Sequence, residues 1–76
     1  MLKINDKIDV YLPWKPYYRN SPENVDTLTE LDEPTHLWCT NVSIDKIEDN
    51  KITFFNQGLD DDQTVPIHLC KKVKDA

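Results

Sequence analysis

Alternation of apolar and polar residues with a period of two is the pattern that most restricts this chain. Between His36 and Ile47, Trp38, Thr40, Val42 and Ile44 alternate with Cys39, Asn41, Ser43 and Asp45. Successive side chains of an extended strand point to opposite faces, so this spacing predicts a strand with one covered face. Glu48-Asp49-Asn50 is a polar turn signal. Lys51–Gln57 then resumes as a strand rich in β-formers, with Ile52, Thr53, Phe54 and Phe55. The two runs read as a hairpin from about His36 to Gln57.

The same period recurs outside the hairpin. Ile4, Ile8, Val10 and Leu12 share one parity and predict a half-buried first strand ending at Pro13. Val65, Ile67 and Leu69 predict another inward-facing run, and a short last strand is expected around Lys72–Lys74. Gly58, the single glycine, directly follows the second hairpin strand, where a positive φ is expected. Pro13–Thr35 fits no strand, and a structureless stretch of that length is unusual in a compact domain. Ser21-Pro22-Glu23 offers an N-cap, a proline at the first helical position and an acid in the first turn. Val25, Leu28 and Leu31 at spacing three and Pro34 as a stop complete the signal for a short helix over about 22–31. Thr27 and Thr29 fit a competing short strand. The expectation is a single all-β domain over 1–76, with a long loop between its first two strands.

Trp38-Cys39-Thr40-Asn41-Val42-Ser43-Ile44, the turn, and Lys51-Ile52-Thr53-Phe54-Phe55-Asn56-Gln57-Gly58 resemble the core hairpin of Tudor-like small barrels. The resemblance covers about residues 36–58. It implies an SH3-like barrel of about five bent antiparallel strands. In methyl-binding Tudor domains an Asp-Tyr-Gly tripeptide supplies an aromatic wall of the cage that holds a methylated Arg or Lys. Asn56 and Gln57 stand at the matching positions here. An amide lacks the ring quadrupole that attracts a cation. The resemblance therefore argues for the fold and against methyl reading.

Size and charge narrow the function. A chain of 76 residues builds one modest core, which favours a surface patch or shallow groove over a deep catalytic cavity. Fourteen acids against nine bases leave a net charge of −5, distributed unevenly. The stretch 1–22 and the last residues are basic, whereas 23–33 and 45–62 are acidic. Phosphate-backbone binding draws its affinity from Lys and Arg, so nucleic acid is disfavoured and a protein partner with a basic surface is favoured. Met1–Val10 has alternating charge and no apolar leader, and no run approaches the ~20 apolar residues of a membrane span. Two cysteines in such a chain read as free thiols of a reducing compartment. A soluble, intracellular (cytoplasmic) protein is expected.

Pro13-Trp14-Lys15-Pro16-Tyr17-Tyr18-Arg19 places three aromatics and two cations within seven residues. Trp, Tyr and Arg are the types enriched at interface hot spots. Trp14, Lys15, Tyr17, Tyr18 and Arg19 are the candidate partner-binding residues; the competing reading folds Trp14 and a tyrosine over the core as a lid. Glu30, Asp32, Glu33, Asp60, Asp61 and Asp62 form a candidate acidic patch, able to imitate a row of phosphates. His36-x-x-Cys39 and His68-x-Cys70 are zinc-ligand types, but His36 and Cys39 would face opposite sides of a strand, and no Cys-x-x-Cys is present. Cys39 and Cys70 are alternatively expected near each other on the outer barrel face. No metal or cofactor is assigned, and without a Gly-rich phosphate loop or a Gly-x-Ser-x-Gly no enzyme activity is expected.

Three functional readings follow. The first is a non-enzymatic protein-binding module that uses the aromatic loop and the acidic surface. The second is an acidic inhibitor or decoy, of the type found in phages and mobile elements, blocking a basic nucleic-acid site on another protein. The third is a small barrel that binds nucleic acid through its basic ends and Trp14, Tyr17 and Tyr18.

Overall fold

The computed structural model describes residues 2–16 and 25–74. Five antiparallel strands form one sheet: β1 (Lys7–Leu12), β2 (His36–Glu48), β3 (Lys51–Asn56), β4 (Asp61–Pro66) and β5 (Cys70–Lys72). Their order is β4-β3-β2-β1-β5. The all-β expectation holds, and the hairpin lies where the alternation placed it.

β2 organises the molecule. Its first half pairs with β1, from Leu12↔His36 to Lys7↔Ser43, and its second half pairs with β3, from Ile44↔Phe54 to Glu48↔Lys51. One strand thus serves two partners in succession and must bend between them. Three bulges accommodate the bend. Asp9 lies opposite both Thr40 and Asn41, Trp38 is extra between Cys39 and Leu37, and Asp45 is extra between Ile44 and Lys46. Each added residue falls on β2, which bends that strand and sharpens its twist. The first bulge is held by Asp9, whose Oδ1 accepts from the Asn41 backbone N–H (2.9 Å) and the Thr40 hydroxyl (2.8 Å). Asn41 sits at φ 55°, a conformation Asn tolerates better than most residues.

The core lies inside the bend. Ile8, Val10 and Leu12 of β1 are fully buried, as their shared parity predicts, with Ile44, Ile52, Phe54, Val65, Leu69 and Val25. The ring of Trp38 meets Phe54 edge-on, with centroids 5.9 Å apart, a favoured aromatic geometry. Between β2 and β3, Asp49 (φ 53°) and Asn50 (φ 61°) are both left-handed, as a two-residue hairpin turn with the strands' own twist requires.

Several local expectations are corrected. The strict alternation of β2 does not survive, because each bulge shifts its parity. Thr40 is exposed, whereas Cys39 packs against the core. Ile4 precedes β1 and is half exposed. Of the helix expected over 22–31, the described part shows one 3₁₀ turn, Val25–Thr27, packed against β4. Beyond it, the Asp32 carboxylate accepts from the Thr29 N–H (2.9 Å), drawing the chain into a tight turn that leaves Leu31 exposed. Ser21-Pro22-Glu23 lies outside the described residues. The left-handed residue of the β3–β4 loop is Asp60 (φ 53°), not Gly58. The run Val65–Leu69 breaks after Pro66 into a 3₁₀ turn, Ile67–Leu69, and the last strand comes at Cys70–Lys72, ahead of its expected place. No helix among the described residues is long and apolar enough to cross a membrane.

Candidate functional site

The bend in β2 opens a groove. Beyond Ile44↔Phe54 the two hairpin strands part: β2 turns toward β1, while Phe55 and Asn56 of β3 pair only with Asp62 and Asp61 of β4. The fork between them is an open groove of about 530 Å³, lined on one side by Trp38–Ser43 and Asp45, on the other by Phe55–Gly58, with Lys7 at its edge. Trp38, Thr40, Asn41 and Asp45, the residues at the three bulges, all line it. The same insertions that bend the strand therefore aim side chains into the groove, a role bulges commonly serve.

Asn56 forms the floor. It is 7% exposed, and a buried amide needs partners. Its Nδ2 donates to Cys39 Sγ (3.6 Å), which ties β3 to β2 across the fork, and its Oδ1 accepts from the Gly58 N–H (3.0 Å). Phe55, next along the strand, faces outward and is 42% exposed. Trp38 is half-buried, its ring nearly perpendicular to that of Phe54, and it lines the groove. At the rim, Lys7 Nζ donates to Ser43 Oγ (2.6 Å).

The sequence-derived candidates occupy other places. Trp14 is 39% exposed and outside the core cluster, and Lys15 is exposed. Neither lines the groove. Tyr17, Tyr18 and Arg19 lie outside the described residues. Of the acidic candidates, Glu30 and Glu33 are exposed and Asp32 is half-buried, its carboxylate used in the Thr29 turn. Asp60, Asp61 and Asp62 are exposed at the start of β4, where Asp61 and Asp62 oppose the groove residues Asn56 and Phe55.

The four zinc-type residues are separately engaged. His36 Nδ1 lies 2.8 Å from Thr35 Oγ1 and His68 Nε2 donates to the Asp32 carbonyl (2.9 Å). Cys39 Sγ accepts from Asn56, and Cys70 Sγ is 3.9 Å from the Pro66 carbonyl. Among the described residues no three His, Cys, Asp or Glu side chains group to hold a metal ion. The expected placing of the two cysteines on the outer face is corrected. Both are register partners of Val10, one on each side of β1, and both pack against the core. Two strand spacings put their Cα atoms roughly 10 Å apart, beyond disulfide reach. Burial pushes the Cys39 thiol up to about 11 and the Cys70 thiol up to about 12. Both are therefore neutral thiols at physiological pH and weak nucleophiles.

The sequence does not mark the groove, because bulges carry no strong composition signal. Phe54-Phe55 was the available cue: adjacent strand residues face opposite ways, so one of the two rings had to face outward. No protein-family model, curated protein or solved structure matches the chain.

Proposed function

We propose that this chain is a non-enzymatic protein-binding module of SH3-like architecture whose working surface is the groove at the β2–β3 fork. The architecture is supported by the strand order β4-β3-β2-β1-β5, by a long bent β2 shared between two partners, and by the 3₁₀ turn linking β4 to β5. One observation carries the function. Phe55 is exposed and Trp38 partly so, both lining a concave, partly polar surface built at three bulges. Concave sites that combine apolar walls with a few placed polar groups are the usual form of binding sites, and aromatic residues anchor protein interfaces. The Trp14–Arg19 loop supplies a second contact, and its described residues Trp14 and Lys15 do not line the groove.

A displayed random-peptide library selected against the wild type and against Phe55→Ser tests this. A consensus enriched on the wild type and lost on Phe55→Ser is expected. No consensus, or one that Phe55→Ser retains, refutes the groove as the working surface. Trp14→Ala assigns the loop: the thermal midpoint should stay nearly unchanged while binding of a full-length partner weakens.

The decoy reading has its own support. Glu30, Glu33 and Asp60–Asp62 are exposed, and the two ion pairs among the described residues, Lys46–Glu48 and Lys72–Asp6, use none of them. It requires competition with DNA or RNA for a basic protein. Binding must weaken on neutralising Asp60–Asp62 far more than on Phe55→Ser, and the reverse order rejects the decoy.

A further inference from the structure

We infer that the groove takes an extended segment in which one aliphatic side chain lies between two cationic ones. This rests on reading the groove as a binding surface and adds the chemistry of what it binds. Trp38, Val42 and Phe55 give the groove its large apolar side chains. Its flanks are anionic. Asp45, the bulge residue on β2, lines one side. On the other side Asp61 and Asp62 oppose Asn56 and Phe55 across the β3–β4 ladder. All three aspartates are exposed, and none takes part in an ion pair among the described residues. Among the described residues Lys7 is the one cation in the lining, and its ammonium donates to Ser43 Oγ.

The charge pattern favours one kind of occupant. Asp45 on β2 and Asp62 on β4 have β3 between them, a separation of roughly 10 Å. In an extended peptide, residues on either side of a central one are about 7 Å apart and leave the backbone on the face opposite to it. Their long, flexible lysine or arginine stems turn back past the backbone to bring the cations to the aspartates. A basic–aliphatic–basic segment thus sets its middle side chain between Trp38 and Phe55 while its cations reach the two acidic flanks. An acidic segment would meet repulsion on both sides, and like-charge juxtaposition is an effective means of rejecting partners.

Titration of the ¹⁵N-labelled chain with three capped pentapeptides tests the inference: Gly-Lys-Leu-Lys-Gly, Gly-Glu-Leu-Glu-Gly and Gly-Lys-Ser-Lys-Gly. The first should shift the amides of Asn41, Phe55 and Gly58 and the side-chain amide of Asn56. Its binding should be at least about tenfold tighter than that of either control, and weaken as salt screens the flanks. The double variant Asp45→Asn/Asp62→Asn should lose about tenfold toward the first peptide while the same groove amides still shift. If the glutamate or serine peptide binds the groove as tightly as the first, the inference is overturned and the groove reading stands. If no peptide moves the groove amides, the inference is again overturned. The groove reading then falls only if the library selection also yields no Phe55-dependent consensus.

Discussion

Asp9 is the side chain on which the geometry of the groove most depends, and Asp9→Ala measures that dependence. Its carboxylate pins the first bulge through two hydrogen bonds, to the Asn41 N–H at 2.9 Å and the Thr40 hydroxyl at 2.8 Å. Hydrogen bonds to charged groups contribute about 1.5–3 kcal/mol each when sequestered. Here Asp9 is half-buried, and Thr40 and Asn41 are exposed, so water replaces part of what the carboxylate supplies. A combined loss of about 1–2 kcal/mol follows. In a domain of this size that lowers the thermal midpoint by roughly 5–12 °C. Asp9→Asn retains an acceptor oxygen without its charge and should recover about half of the loss. Thermal melts by circular dichroism give the stabilities, and amide exchange at Asn41 reports the bulge itself, which should exchange faster in Asp9→Ala. A midpoint within about 2 °C of wild type, with Asn41 exchange unchanged, would show that the bulge is fixed by strand pairing alone and refute this account.

Two further outcomes follow from the backbone and from burial. Asn50→Gly removes the left-handed cost at φ 61° and should stabilise the hairpin by about 0.5–1 kcal/mol, read by urea denaturation; a destabilised variant would show that the Asn50 side chain matters more than its backbone. The two thiols should make stability fall at high pH. Unfolded thiols ionise from about pH 9.0, whereas the folded ones hold their protons to about 11 at Cys39 and about 12 at Cys70. Above pH 9 the unfolded state binds fewer protons, so the thiol contribution, complete below that pH, is lost progressively toward pH 11–12. The stability gap between wild type and Cys39→Ala/Cys70→Ala should therefore narrow from pH 8 to pH 10.5, and a constant gap would contradict the burial of the thiols.

What the sequence showed of the fold, it showed through period two. β1 and β3 kept their parity without interruption, so Ile8, Val10, Leu12, Ile52 and Phe54 were readable as core, and Glu48-Asp49-Asn50 marked the turn. β2 gave the strongest alternation of all and misled about its faces, because three insertions shift parity without changing residue type. Alternation counts along one chain, whereas a bulge is a relation between two. The helix signal over 22–31 rested on Val25, Leu28 and Leu31. Of these, Val25 reaches the core, Leu28 packs against it and Leu31 lies 92% exposed, so the spacing did not mark one buried helical stripe.

The candidate site was hidden for the same reason. The resemblance to Tudor-like barrels points away from the hairpin, since Gln57 stands where those domains carry a cage aromatic. The aromatic surface that does form comes from Trp38, displaced by one bulge, and from Phe55, freed where β3 loses β2 as a partner. Both depend on β2 leaving β3 at Ile44 to pair with β1. Strand pairing and site formation are therefore one structural event. A change that let β2 continue along β3, by removing Asp45 or the Thr40–Asn41 bulge, would close the fork as it lengthened the ladder. Such a chain would gain backbone hydrogen bonds and lose its groove, and this opposition gives a physical reason for a strand with three irregularities in thirteen residues.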